Sequence, residues 1–307
     1  MPEMRQVTTP VALIIFNRPD TTAKVFAEIR RARPLNLLVV ADGPRIGRPD
    51  DKERCLAARA VVEQIDWPCE VVKNYSDINL GCRSRVSTGI NWVFEKEEEA
   101  IILEDDCVPH PAFFRFCEEL LARYRHDDRI AHIGGTNYQF GRRRTPHSYY
   151  FSRYNHIWGW ASWRRAWKDY DVDMKIWPEV RDGNWLQDVL TEKRLVRYWQ
   201  KNFDKVFARE IDTWDFQWTL ACWVNSRLSI LPAVNMISNI GCNADATHTL
   251  DSNSRVANMQ VEGAVFPLSH PPIMVRDRQA DCFTEQSLVR HPLAAAVQQR
   301  LWQLFGR

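Results

Sequence analysis

Long apolar runs are missing from this chain of 307 residues. None approaches the roughly 20 residues that span a bilayer, and the stretch from Met1 to Pro10 is too polar for a secretory leader. A charge imbalance is missing too. Lys+Arg 41 against Asp+Glu 39 leaves a net charge of +2. That gives no bulk attraction for nucleic acid, and Arg142-Arg143-Arg144 reads as a solvated loop. Eight cysteines are present, but without a C-x-x-C pair or zinc-like spacing. Free, mostly buried thiols point to a reducing compartment, so the expectation is a cytoplasmic, bacterial-style protein, with peripheral membrane contact left open. No repeat, low-complexity segment or linker divides the chain.

What is present is an ordinary globular composition, 45% hydrophobic and 26% charged, with an alternating pattern. Val11 to Phe16 is a continuous apolar run ending at Asn17-Arg18-Pro19-Asp20, and a helix is expected from Thr22 to Ala32. A second apolar run, Leu35 to Val40, ends in Ala41-Asp42-Gly43-Pro44, and a helix follows from Asp50 to Ile65. Glu70 to Asn74 reads as a third strand, Arg83 to Glu95 as a third helix after Asn79-Leu80-Gly81, and Ile101 to Leu103 as a fourth strand. This rhythm predicts an α/β fold with an open, mostly parallel sheet covered by helices on both faces. Ligands in such sheets collect beyond the carboxyl ends of the strands, where Asn17, Arg18, Asp42, Arg83 and the acids after Leu103 converge.

Those acids, Glu104, Asp105 and Asp106, repel one another unless a cation or hydrogen-bond donors compensate. Strand alternation would put Glu104 and Asp106 on one face and Asp105 on the other. An oxygen-rich set of this kind suits Mn2+ or Mg2+, bridging carboxylate to substrate phosphates; a solvated acidic turn is the plain alternative. Further on, Phe113, Phe114 and Phe116 form a helical core stripe. Strands are expected at Arg129 to Gly134, Tyr149 to Tyr154 and Ser229 to Val234, helices at Leu195 to Asp204, Trp214 to Val224 and Leu293 to Leu304. Ten of 13 tryptophans lie between Trp158 and Trp223. The pairs Trp163/Trp167 and Trp214/Trp218 have helix-face spacing and are assigned to the core. Trp158 and Trp160, in the glycine-containing turn W-G-W, are expected to face ligand as a platform for a sugar.

The ordered motifs V-A-L-I-I-F-N-R-P, V-V-A-D-G-P, N-L-G-C-R, I-L-E-D-D-C-V-P, W-G-W-A and T-W-D-F-Q-W resemble the GT-A (Rossmann-like) nucleotide-sugar glycosyltransferases, in the N-acetylglucosaminyltransferase I-like branch. The resemblance covers roughly residues 10 to 250, and E-D-D departs from the commoner D-x-D. It implies a single domain over 1–254, with a nucleotide-sugar-binding half (10–134) and an acceptor half (135–254), followed by a C-terminal extension (255–307). It implies a donor, expected to be UDP-linked, and a glycan or small hydroxyl acceptor. Asp106 would bind the divalent metal, joined by His248. Glu104, Asp105, Asp42, Asn17 and Arg18 would meet the nucleotide or its sugar, and Arg83, at a helix amino terminus, phosphate or donor sugar. Trp158 and Trp160 would meet the acceptor.

Direct displacement at the anomeric carbon, with inversion, needs a base at the acceptor hydroxyl. Asp215 is the candidate and Asp212 its competitor, though either could simply cap a helix. His156 could line the acceptor pocket but is not assigned to it. Two other readings stay in view. A sugar nucleotidylyltransferase would normally carry a glycine-rich loop after the first strand, where this chain has F-N-R-P-D. A non-enzymatic carbohydrate-binding protein could keep the sheet and the tryptophans without turnover.

Overall fold

Five consecutive apolar residues, Val11–Ile15, form strand β1, and all five are buried, as a strand covered on both faces requires. Pro19 then opens helix α1 (Pro19–Ala32), where a missing backbone N–H does no harm, and Val25, Phe26 and Ile29 face inward. The alternation continues through β2 (Asn36–Ala41), α2 (Asp51–Val61), β3 (Glu70–Tyr75), α3 (Gly81–Lys96) and β4 (Glu99–Glu104). Beyond it come β5 (Cys107–Pro109), α4 (Ala112–Tyr124), β6 (Ile130–Gly134), β7 (Tyr149–Ser152) and β8 (Trp160–Trp163). Three short helices follow, α5 (Arg164–Trp167), α6 (Trp177–Asp182) and α7 (Leu186–Val189), then α8 (Lys193–Phe207), α9 (Asp215–Val224), β9 (Leu228–Pro232), β10 (Ile237–Asn239) and α10 (Arg278–Leu288). The computed structural model describes residues 6–241, 256 and 258–288.

Eight strands make one sheet in the order β3-β2-β1-β4-β8-β6-β9-β7, and β5 pairs with β10 in a separate ribbon. The first four strands are mutually parallel, and β6 is parallel to β9. β8 runs antiparallel to both its neighbours, and β7 antiparallel to β9. The expected α/β fold with a mostly parallel, helix-covered sheet is therefore present, with two reversed strands that the sequence rhythm does not disclose. Helices cover both faces. The phenylalanines of α4 lie in one core, with Phe113, Phe114 and Phe116 at most 1% exposed, and α3 and α9 close the other.

The position of β8 corrects the reading of W-G-W-A-S-W. This segment enters the sheet between β4 and β6, so Trp160 is fully buried and ring-stacked with Trp214 at 5.7 Å. Trp160 is a core residue, not a ligand platform. Trp163 ends β8 and so shares no helix with Trp167. Helix α10, within the stretch read as an extension, packs on β7 through Asp281, which accepts a bond from the Ser152 hydroxyl at 2.5 Å. The helix expected over 293–304 lies outside the described residues. The seven described cysteines are free thiols, and no described helix is long and apolar enough to cross a membrane.

Replacing a fully buried tryptophan leaves a large void. Trp160→Ala is expected to lower unfolding free energy by about 3–5 kcal/mol, read from urea denaturation. An unchanged urea midpoint would return Trp160 to the surface.

Candidate active site

The strands β1, β2 and β4 run the same way and end along one edge of the sheet, so the residues that follow them meet there. A cleft of about 1070 Å³ opens along this edge. Its strand-end wall includes Phe16, Arg18, Asp42, Arg45, Glu104 and Asp106; its far wall includes Tyr154, His156, Trp158, Asp212, Asp215 and Glu285.

Arg18 holds the acidic turn together. Its guanidinium is paired with Asp105 through one nitrogen and with Asp106 Oδ2 at 2.8 Å through the other. Asp105 is almost wholly buried and also accepts the Phe16 amide at 3.1 Å. The expected alternation of faces therefore fails: β4 stops at Glu104, and the turn brings both aspartates to one cation. Burial alone would lower the Arg18 pKa, but Asp105 and Asp106 hold it above its ordinary value. Glu104, half-buried and lining the cleft, is pushed up to about 8 by burial and then by Asp106 and Asp105. The compensating charge inside the triplet is a guanidinium, where the sequence reading put a dication. The β5–β10 ribbon closes over the turn. Ile240 donates its amide to the Asp106 carbonyl at 2.9 Å, and a Cβ on Gly241 would stand 2.1 Å from Asp106 Oδ2, so only glycine fits.

Asp42 and Asp212 act as clamps. The Asp42 carboxylate accepts the amides of Gly43, Leu80 and Gly81 and the Asn79 side-chain nitrogen, tying the end of β2 to the start of α3. Burial keeps its pKa above the ordinary value although those backbone donors oppose it. Asp212 accepts the Cys82 and Arg83 amides, each at 3.0 Å. It thus caps the amino terminus of α3, where the sequence reading expected phosphate. Gly81, at φ +79°, makes room for it. Arg83, expected at phosphate or donor sugar, is not among the residues lining the cleft and bonds the Val172 carbonyl and Asp173. Asn17 lines the cleft, but its amide nitrogen donates to Asp51 at 2.7 Å. Asp51, paired with Arg45, is held down to about 2 by that arginine.

Asp215 stands at the first turn of α9, in the cleft, and accepts the Thr213 hydroxyl. Trp158 lines the same wall, half-buried, with Tyr138 edge-on at 5.8 Å. His248 lies outside the described residues. Sequence reasoning did not single out Arg45, Arg54 and Arg85, which also line the cleft, or Asn155, Trp199 and Glu285. The D-G-P-R-I-G-R loop after the second strand carried a signal for Arg45; nothing local marks Glu285, which arrives on α10 and pairs with buried Arg153 at 2.6 Å.

Among the described residues no three His, Cys, Asp or Glu side chains converge as a metal cage. Asp106 nonetheless suits a dication in one limited mode. Its carboxylate is 13% exposed at the cleft, and its Oδ1 has two long contacts, from Asn239 Nδ2 and from the Cys107 thiol, each at 3.4 Å. Magnesium-like ions commonly take one or two carboxylates and complete their shell with water and substrate phosphate.

Removing Arg18 should leave Asp105 buried without its counter-charge. Arg18→Met is expected to cost about 3 kcal/mol in urea denaturation, and the Arg18→Met/Asp105→Asn double variant to recover a large part of that loss. Additive losses would show that the pair is not coupled.

No protein-family model matches the chain, and no curated protein matches it. Solved structures similar in chain path include a UDP-glucose pyrophosphorylase complexed with UDP-glucose, at 10% identity and TM-score 0.27, covering 42% of this chain and 57% of that one. A second is the galactosyltransferase LgtC in complex with donor and acceptor sugar analogs, at 12% identity and TM-score 0.33, covering 57% and 64%. A third is the inositol-1-phosphate CTP transferase from T. maritima, at 9% identity and TM-score 0.31, covering 53% and 74%. The chain thus spans 57% and 64% of the length of the first two, and any reading of its activity rests on its own cleft.

Proposed function

We propose that the protein is a glycosyltransferase that moves a sugar from a nucleoside diphosphate, UDP in the first instance, to a hydroxyl of a glycan or small acceptor. One observation carries this reading: a single cleft runs from the strand-end edge, with Arg18, Arg45, Arg54 and Asp106, to an aromatic far wall bearing Asp215. Arginines and a rim carboxylate suit a diphosphate; ring faces with a carboxylate suit a sugar and its reacting hydroxyl. Within this reading we infer the N-acetylglucosaminyltransferase I-like branch, from the resemblance of the E-D-D strand followed by a phenylalanine-rich helix.

Asp106 would hold Mn2+ or Mg2+, and a dication bound there would offset charge on the departing diphosphate. Arg18, already bonded to Asp106, fixes the direction of that carboxylate. Asp215 is the base. Thr213 donates to one carboxylate oxygen and so orients the side chain, and the acceptor hydroxyl would give its proton to Asp215 as it attacks the anomeric carbon. Asp212 is unsuited to that work, since each of its oxygens already accepts a backbone amide of α3. A single displacement of this kind inverts the anomeric configuration. Nucleotidyl transfer would leave the aromatic wall and Asp215 without a task.

A thermal-shift screen of nucleoside diphosphates tests the donor side. UDP with Mn2+ is expected to raise Tm by at least about 2 °C, and Asp106→Asn to remove the metal-dependent part. Failure of every nucleotide with metal present would end the reading. On the acceptor side, Asp215→Asn should lower turnover of a UDP-sugar by about 10²–10⁴-fold while the UDP shift persists. Retained turnover would move the base elsewhere.

A further inference from the structure

Helix α8 carries a charge pattern that the stability of the fold does not call for. Its sequence, K-R-L-V-R-Y-W-Q-K-N-F-D-K-V-F, holds five cations and one acid, in a chain whose net charge is +2. Leu195, Phe203 and Val206 turn to the core and are fully buried. Lys193, Arg197, Lys201 and Lys205 recur every fourth residue on the side away from them. They stand in one row, each about 6 Å further along the helix axis and about 18 Å from end to end. Lys193, Arg197 and Lys201 are exposed, and Lys205 is partly so.

Two local rules oppose this row. Like charges four apart on a helix repel. Lys193 and Arg194 also stand in a first turn without an acid, where the helix dipole disfavours cations. Nearby acids do not relieve it. Asp204 accepts the Trp177 indole N–H at 3.0 Å and lies 3.6 Å from Arg181, and Arg194 is drawn to Glu192 at 2.8 Å. Arg197 donates only to the Lys193 carbonyl, at 3.3 Å. Among the described residues none of the four cations in the row has an ion pair. Surface arginines elsewhere are matched, Arg30 with Asp66, Arg125 with Glu99, Arg129 with Asp127 and Arg164 with Glu98. Departures from local rules gathered on one face mark a functional surface.

The place of the row names its partner. Tyr198, four residues after Arg194 and three before Lys201, is exposed and lines the cleft, whereas none of the four cations does. The row thus begins where the cleft wall ends. Asp182, Glu192 and Asp204 reach solvent beside it. A narrow cationic row among acids suits one extended chain of anions, because a flat anionic bilayer would press on the acids too. Within the cleft Asp212, Asp215 and Glu285 disfavour an anion, so the partner's charges belong outside it.

We propose that Lys193, Arg197, Lys201 and Lys205 bind a glycan chain bearing repeated carboxylate or phosphate groups and lead it past Tyr198 to the cleft. Calling that glycan the acceptor rests on the glycosyltransferase reading; the binding itself does not.

The test compares the full chain with two triple variants. Lys193→Gln/Arg197→Gln/Lys201→Gln removes the row, and Lys24→Gln/Arg31→Gln/Lys168→Gln removes equal charge elsewhere; all six positions are exposed. Hexagalacturonate, a glycerol phosphate hexamer and neutral maltohexaose are titrated by calorimetry at low and high salt. Phosphatidylglycerol vesicles and a short single-stranded DNA serve as other polyanions, and UDP thermal shifts are recorded in parallel. At least one anionic hexamer is expected to bind about tenfold more tightly than maltohexaose at low salt and to lose that advantage at high salt. The row variant should lose about tenfold in that affinity and the control variant less than about twofold, with the UDP shift unchanged in both. The row variant should also melt no lower than wild type, since repulsion is relieved. If it does not fold, Lys201→Gln, expected to lose about threefold, decides. Equal affinity for charged and neutral hexamers, an unchanged row variant, or an equal loss in the control would overturn the proposal. Vesicles or DNA held by α8 more tightly than either glycan would overturn it too. Which hexamer binds separates carboxylate from phosphate. Row-dependent glycan binding with no response to any nucleoside diphosphate keeps this surface and removes the transferase reading; a UDP shift without row-dependent binding does the reverse.

Discussion

Arg18 is the cation against which two successive aspartates are folded, and the geometry of the strand-end edge follows from that pairing. Two carboxylates at the end of a buried strand cannot be desolvated together unless something positive lies between them. Here the turn after β1 supplies it, so strands adjacent in the sheet but distant in sequence are joined at their ends by charge. The consequence reaches beyond the turn. With Asp105 committed inward and Asp106 held at the rim, Glu104 is the one of the three that Arg18 does not bond, and burial, followed by the charges of Asp106 and Asp105, raises its pKa.

The cleft is shaped by carboxylates that serve the backbone. Asp42 and Asp212 between them accept the four amides from Leu80 to Arg83 at the start of α3. An opening that would otherwise favour anions is closed by the protein's own side chain. In the proposed reaction, phosphate recognition therefore falls to the arginines on the other side of the edge. The far wall is built differently, from rings with the carboxylates Asp212, Asp215 and Glu285 among them, the last paired with buried Arg153.

How much of this could be read from residues alone depends on the range of the interaction. The parallel core was legible because continuous apolar runs such as Val11–Ile15 and Leu37 to Ala41 carry their burial in their own composition. The strand-end edge was legible for the same reason, since the residue after each run must lie there. β8 was not legible. W-A-S-W has neither alternation nor length, and only its place between β4 and β6 makes it a strand. Side-chain destinations were least legible. Nothing near Arg83 in sequence says that Asp173 will claim it, and nothing near Cys82 says that Asp212 will cap its helix, because both partners come from distant parts of the chain. Glu285 and Thr284 reach the cleft only because α10 returns to β7.

The seating of Asp212 on α3 fixes a length. Asp215 follows three residues later in the chain, so the carboxylate proposed for proton transfer is tethered by a short peptide to the helix that borders the strand-end edge. That tether works as a built-in ruler. Its span cannot be retuned by a mobile loop, and a change of donor or acceptor size during divergence of this fold would have to be absorbed by the opposite wall.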